Sequence, residues 1–382
     1  MTGIYLDHNA TTPIDPAVRD EMMTCLGGAP GNPSSIHGFG QEAKRVIDKA
    51  RARAARLIGA QPEEIVFTSG GTEANNLGIM GVVAAAKRAR PHVVTSPIEH
   101  QAVLNVCRHI EEVGGLVSFA HVDQEGLLDP ASVISSLQDD TLLVSIMLAN
   151  NDLGTVQPVA AMSARLRERG IPLHTDAVQA VGKLPVDVKS LDVDLLSFSG
   201  HKLHGPQGIG ALYIRKGTKL SSVMFGGHQE RGLRPGTENV AAIAGFGRAC
   251  ELAAERLAGD AVHIEALRSS FEAAIVARVP KTMVNGQTAP RLPNTSNLSF
   301  DGLDGEMLTI NLDLLGVAVS TGAACSTADH EPSHVLIAMG RTPVQARSSV
   351  RFSFGRGNTA EDALHAVESV VRVVEMMRGG FR

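Results

Sequence analysis

Between residues 60 and 215, short apolar runs alternate with longer stretches of helical periodicity. Ile65-Val66-Phe67-Thr68 reads as a strand, followed by a helix over 73–88. His92-Val93-Val94-Thr95 is the next strand, with a helix beginning near Gln101. Runs at 142–148, 172–175 and 195–199 continue the series, and 160–169 is a helix between two of them. These runs are apolar throughout rather than alternating, as strands buried on both faces must be. Because each leads into a helix, the pattern predicts an α/β fold whose mostly parallel sheet is covered on both sides. After a long helix around 241–257 the pattern changes. Strands at 295–300, 317–320 and 349–354 mix with helices at 304–315 and 359–377, which predicts a second, smaller α+β unit. We expect a large domain over 16–258 and a small one made of 1–15 and 259–382.

The chain has 382 residues, enough for about two domains at roughly 100–200 residues each. Tryptophan is absent and aromatic residues make up 3%, so the core must be aliphatic and closely packed through Gly and Ala. A net charge of −5 argues against a dedicated nucleic-acid binder, and no direct nucleic-acid contact is expected. The N-terminus lacks a basic stretch followed by an apolar one, and no apolar run approaches the ~20 residues that span a bilayer. A cytoplasmic protein that avoids membranes is the expectation. No two of Cys25, Cys107, Cys250 and Cys325 form a Cys-x-x-Cys pair, so neither a zinc knuckle nor a dithiol redox motif is predicted. Cys107 and Cys250 lie among apolar residues and read as small buried hydrophobes.

Open α/β sheets bind ligands beyond the carboxyl ends of their strands, so chemistry is expected there, in the cleft between the two units. After the first strand comes Ser69-Gly70-Gly71-Thr72-Glu73. Its glycines and the helix N-terminus that follows could cradle an anion, although the same residues also make a plain strand-to-helix turn. The strand at 195–199 ends in Ser199-Gly200-His201-Lys202. Beside low-dielectric surroundings such a lysine loses its proton more easily and becomes available for Schiff-base formation; an exposed loop lysine is the plainer alternative. Asp176, followed by Gln179, ends another strand and could pair with a protonated pyridine nitrogen or simply cap a helix. His100 and Asn150-Asn151 occupy two further strand ends. In the strand at 349–354, Val350, Phe352 and Phe354 share one face while Arg351 points the other way, where it could clamp a carboxylate or lie at the surface. No one of these decides the chemistry; their corresponding positions do.

Ser-Gly-His-Lys followed by Gly-Pro-x-Gly-Ile-Gly-Ala, together with Thr-Ser-Gly-Gly-Thr-Glu-Ala-Asn-Asn, resembles the class V aminotransferase family. More narrowly, the chain resembles the group I cysteine desulfurases of the nitrogen-fixation and iron–sulfur-cluster type. The resemblance runs from Tyr5-Leu6-Asp7-His8-Asn9 to Arg351-Phe352-Ser353-Phe354-Gly355-Arg356. It implies the fold type I architecture of pyridoxal-phosphate enzymes, with a seven-stranded sheet, and removal of sulfur from L-cysteine to give L-alanine. A selenocysteine lyase or another class V enzyme on the same fold is the alternative.

By this resemblance Lys202 would hold pyridoxal 5'-phosphate as a Schiff base. Asp176 would pair with the ring nitrogen, Gln179 would bond the phenolic oxygen, and His100 would stack on the ring. Gly71, Thr72, Ser199 and His201 would hold the phosphate, and Thr237 would reach the phosphate of the partner subunit in a homodimer. Asn151 would lie near the cofactor and, with Arg351, bind the substrate carboxylate. Cys325, in Ser320-Thr321-Gly322-Ala323-Ala324-Cys325-Ser326-Thr327-Ala328, would receive the sulfur. That segment is nearly all small residues, so a buried structural cysteine is the weaker alternative. An ordinary thiol is mostly protonated at neutral pH, and His100 is the candidate to accept its proton. No metal is expected, except that Cys325 could ligate an iron–sulfur cluster in passing. The family loop usually reads Ser-Ser-Gly-Ser-Ala-Cys-Thr-Ser, and the differences here are conservative. The chain stops at Gly379-Gly380-Phe381-Arg382, without the tail by which housekeeping relatives meet their scaffold. The protein that accepts the sulfur thus stays open among cluster assembly, transfer-RNA thiolation and DNA sulfur modification.

Overall fold

A computed structural model describes residues 3–321 and 331–379. The chain opens with β1 (Ile4–Tyr5) and two helices, α1 (Pro16–Gly27) and α2 (Gly38–Leu57). Strand–helix alternation follows in β2 (Ile65–Thr68), α3 (Gly71–Ala86), β3 (His92–Thr95), α4 (Gln101–Glu112) and β4 (Leu116–Phe119). It continues through α5 (Pro130–Ser135), β5 (Thr141–Ser145), α6 (Ala160–Glu168), β6 (Leu173–Asp176), α7 (Val188–Leu191), β7 (Leu195–Ser199) and β8 (Gly210–Ile214). These strands form one seven-stranded sheet in the order β2-β8-β7-β6-β5-β3-β4, parallel except that β8 runs against both neighbours. The predicted architecture is the one observed.

Two strands escape the apolar pattern. β4 is an edge strand, only half-buried and ending in exposed Phe119, so it lacks the continuous apolar run of its neighbours. β8 starts with a glycine and turns back antiparallel to β7, without a helix of its own. The long helix also exceeds its prediction. α8 spans Val240–Arg278, 39 residues rather than the 17 of 241–257. Its first half buries Ala242, Ile243, Phe246, Ala249 and Leu252 against the large sheet's core. Its second half buries Leu267, Phe271 and Ile275 in a separate apolar cluster. No residue from Ala253 to Ala266 is buried between them, so the apolar periodicity lapses although the helix does not.

The remaining elements are β9 (Thr282–Val284), β10 (Thr295–Phe300), α9 (Gly305–Leu314), β11 (Val317–Ala318), α10 (His334–Ala338), α11 (Pro343–Arg347), β12 (Ser349–Ser353) and α12 (Ala360–Gly379). β12, β10 and β9 form an antiparallel sheet, and β1 pairs in parallel with β11. The N-terminal arm thus lies beside the second cluster, to which it contributes Leu6. The arm then crosses to the other side of the cleft. Thr12 N donates to His201 O (2.9 Å) and Asp15 N to His204 O (2.9 Å), tying it to the turn after β7.

A buried ion pair secures the start of the site. Arg51 donates two bonds to Glu230 (2.8 and 2.5 Å), which also accepts from Phe67 N of β2 (2.9 Å). Glu230 is 9% exposed and holds a left-handed φ of 45°. Removing Glu230 leaves Arg51, though still bonded to Ile65 O, without its counter-charge, and Phe67 N without its acceptor. Glu230→Ala should therefore cost about 3 kcal/mol of stability, read as a lower urea midpoint.

Candidate active site

Loops from one end of the large sheet converge with β12 on a cavity of about 330 Å³, a size suited to a small cofactor. Gly71, Thr72, His100, Asn151, Asp176, Gln179, Ser199, His201, Lys202 and Arg351 all line it. These are ten of the twelve residues singled out from the sequence. Thr237 does not line the cavity of its own chain; it is exposed on the loop that precedes α8. Cys325 lies outside the described residues.

The floor is built where strands end. β2 passes through Gly70 into α3, and a Cβ at Gly71 would stand 2.6 Å from Val178 Cγ2. Only glycine lets the backbone N–H groups at the start of this 16-residue helix come so close, and they carry the positive end of its dipole. Thr72, Ser199 and His201 complete this corner. Burial, with the charges of Lys202 and Lys183, pushes His201 down to about 4, so its ring is neutral at physiological pH. At the end of β6, Asp176 accepts from Asn75 Nδ2 (2.6 Å) and from Val178 N (2.9 Å), which fixes the carboxylate at the cavity.

Lys202 ends a 3₁₀ turn of three residues after β7. Its Nζ donates to Asn9 O and to Ala10 O (2.6 Å), so the N-terminal arm supplies the acceptors for this amine. Asn9 organises more than that. Its Nδ2 donates to Asn151 O (3.1 Å) and Thr295 Oγ1 (2.8 Å), and its carbonyl also accepts from Gln179 Nε2 (2.9 Å). Neither Asn9 nor Asn75 was singled out from the sequence. Asn75 had a legible signal, standing one helical turn beyond Gly71. Asn9 had none, because its partners lie 142 to 344 residues away.

His100 caps α4 by accepting from Ala102 N at Nδ1 (3.1 Å). An accepting Nδ1 carries no hydrogen, so the neutral ring bears its proton on Nε2 and presents a donor there. To play the proton-accepting role expected from the sequence, His100 must give up its cap and take the proton at Nδ1; only the doubly protonated ring can then hand one on. Glu99, fully buried beside it, accepts at Oε1 from Ser96 Oγ (2.6 Å) and Met147 N (2.9 Å). Burial pushes its carboxyl up to about 8, which keeps a proton on this acid at neutral pH.

Arg351 is 5% exposed and projects from β12 away from Val350, Phe352 and Phe354, as the strand alternation predicted. It donates to Asp7 Oδ1 (2.7 Å) and Asn151 O (3.1 Å), while its Nε is buried without a partner. Asn151 Oδ1 is also buried and unpartnered. The two ends of the segment that carries Cys325 start from this same place. Ser320 exchanges backbone hydrogen bonds with Arg351 (2.7 and 3.2 Å). On the far side, Ser333 Oγ donates to Asp152 Oδ2 (2.6 Å), and His334 Nε2 donates to Glu99 O (2.9 Å).

The donor set suits pyridoxal phosphate. A glycine-walled helix N-terminus with Thr72, Ser199 and His201 suits a phosphate, Asp176 a pyridinium, Lys202 an aldehyde, and the unpartnered Nε–H of Arg351 a carboxylate. Fold and cavity together are those of an α/β protein with a lysine at a strand end lining the cleft.

Known proteins narrow this further. A model of the family "Aminotransferase class-V" matches residues 4–365. The cysteine desulfurase IscS of Dictyoglomus turgidum is 46% identical over 98% of this chain and 95% of that protein. A solved NifS-like protein, 37% identical, superposes with a TM-score of 0.92 over 98% of this chain and 100% of that one. SspA, solved in complex with cysteine, is 34% identical with a TM-score of 0.82 over 93% and 100% of the respective chains. The chain belongs to the aminotransferase class-V family and, within it, to the cysteine desulfurases. Among the described residues no helix is long and apolar enough to cross a membrane.

Proposed function

We propose that this chain takes sulfur from L-cysteine, releases L-alanine and holds the sulfur as a persulfide on Cys325 for transfer to an acceptor protein. Its main support is the convergence of Lys202, Asp176, Gln179, His100, Asn151 and Arg351 on one cavity, with Arg351 backbone-paired to Ser320 at the start of the cysteine segment. Cys325 stands four residues beyond Thr321, a span of at most about 14 Å when extended.

Pyridoxal phosphate, when bound, supplies an electron sink for the pair left when the substrate's Cα–H bond breaks. Lys202 would bind its aldehyde carbon between turnovers, and Asp176 would keep the ring nitrogen protonated. Gly71, Thr72, Ser199 and His201 would hold the phosphate. Thr237, exposed and away from its own cavity, is suited to reach the phosphate of a partner subunit. Arg351 would grip the substrate carboxylate through the Nε that now lacks a partner, and Asn151 through its amide N–H. Lys202 Nζ, when free, would take the Cα proton. Cys325 Sγ, as thiolate, forms a bond to the substrate sulfur as the carbon–sulfur bond breaks. The electron pair stays with carbon; His100, releasing its cap, would take the Cys325 thiol proton at Nδ1, and the resulting imidazolium would give its Nε2 proton to the departing alanine.

The experiment is a product assay on the protein loaded with cofactor. Incubation with L-cysteine should yield alanine and a chain heavier by one sulfur atom on Cys325, removable by thiol. A keto acid in place of alanine would make the enzyme a transaminase and overturn the proposal.

A further inference from the structure

Four residues past Gln179, a second lysine stands behind the cavity rather than in it. Lys183 Nζ donates to Gln179 Oε1 (2.6 Å) and to Asn9 Oδ1 (3.1 Å), and Asn294 Nδ2 joins at the same Asn9 oxygen (2.9 Å). A carboxamide presents an acceptor at one end and donors at the other, and its surroundings decide which end faces where. A lysine that donates to an amide oxygen draws that oxygen toward itself. The NH₂ groups must then point away: Gln179 Nε2 toward Asn9 O and the cavity, Asn9 Nδ2 toward Asn151 O and Thr295 Oγ1.

We propose that Lys183 is a positioning residue, which holds the Gln179 amide so that a donor faces the phenolic oxygen of pyridoxal phosphate. This rests on the cofactor assignment made above. The Asn9 carbonyl favours the same orientation, but it is shared with Lys202, which must leave it whenever it reacts. Lys183 is held off the reacting atoms and can keep its grip throughout. Burial, reinforced by the charges of Lys202 and Arg351, pushes the Lys183 amine well below its usual range. Even uncharged, an amine retains two N–H donors, one for each amide oxygen. The other titratable groups facing it are His8, His201 and His204, all pushed down to between about 3 and 4 and therefore neutral; Asp260 and Arg356 line the small cavity shared with it.

A donor on the phenolic oxygen stabilises its ionised form, so losing it should raise the pH at which that oxygen ionises. The test is a pH titration of the visible absorbance of lysine-bound pyridoxal in the loaded enzyme, without substrate. Lys183→Met should raise the midpoint by about one unit, and Lys183→Arg, which keeps a donor, by less than half of that. In a Gln179→Ala background, Lys183→Met should shift the midpoint no further, because the lysine acts through that amide. An unchanged midpoint in Lys183→Met, or an undiminished second shift in the Gln179→Ala background, would overturn the proposal. If Lys183→Met fails to fold, the arginine variant decides, and a midpoint raised by a full unit there also counts against it. A wild-type protein without any such absorbance would instead defeat the cofactor assignment.

Discussion

Lys202→Ala is expected to abolish sulfide release from L-cysteine by at least about 10³-fold and to remove the visible absorbance of the cofactor. Both losses have one cause. The amine is the group that would bond the cofactor's aldehyde carbon and, once displaced, the base that takes the substrate's Cα proton. Its Nζ stands on Asn9 O and Ala10 O, two carbonyls from a segment nearly two hundred residues away, so the amine is aimed before any ligand arrives. Alanine removes the base and leaves those carbonyls facing the cavity. They lie at its edge, where water can satisfy them, so stability should change little and thermal unfolding should separate a chemical loss from a folding one. Wild-type sulfide release by a folded Lys202→Ala protein would remove this residue from the mechanism.

What the amino-acid pattern revealed follows the geometry of a parallel sheet. Strands covered on both faces must be apolar throughout, so each announces itself, and the polar residue that ends it is automatically a candidate for the cleft. Asp176, Ser199 with Lys202, and Gly71 at the start of α3 were found in that way, and all of them line the cavity. Arg351 was legible from the alternation within one strand. Roles that depend on contacts between distant segments were not. Asn9 joins Lys202, Gln179, Asn151 and Thr295, yet in its own neighbourhood it is one polar residue in a turn. Lys183 reads as a loop lysine in Val181-Gly182-Lys183-Leu184, and only its bond to Gln179 gives it a part. His100 illustrates a third case: residue type identified it, but the direction of its proton follows from the Ala102 N–H that it caps.

Cys325→Ser is expected to leave the cofactor's absorbance intact while sulfide release falls by on the order of 10³-fold or more. Serine matches the cysteine in size, but its hydroxyl ionises far less readily than a thiol, and the thiolate is the nucleophile. The scaffold on either side should be indifferent to the change. Ser320 is held by the backbone of Arg351, Ser333 by Asp152 and His334 by the Glu99 carbonyl, and none of these contacts involves position 325. No other cysteine is equipped to substitute. Cys107 and Cys250 are fully buried, and burial pushes Cys107 up to about 12 and Cys250 higher still, so both remain protonated inside the core. Cys25, on α1, is raised by burial and by the carboxylate of Glu21. The measurement is sulfide released in the presence of thiol, alongside the mass of the chain after exposure to L-cysteine. The variant should gain no sulfur at any position, and a persulfide on Cys25, Cys107 or Cys250, or sulfide release at the wild-type rate, would show that the sulfur travels by another route.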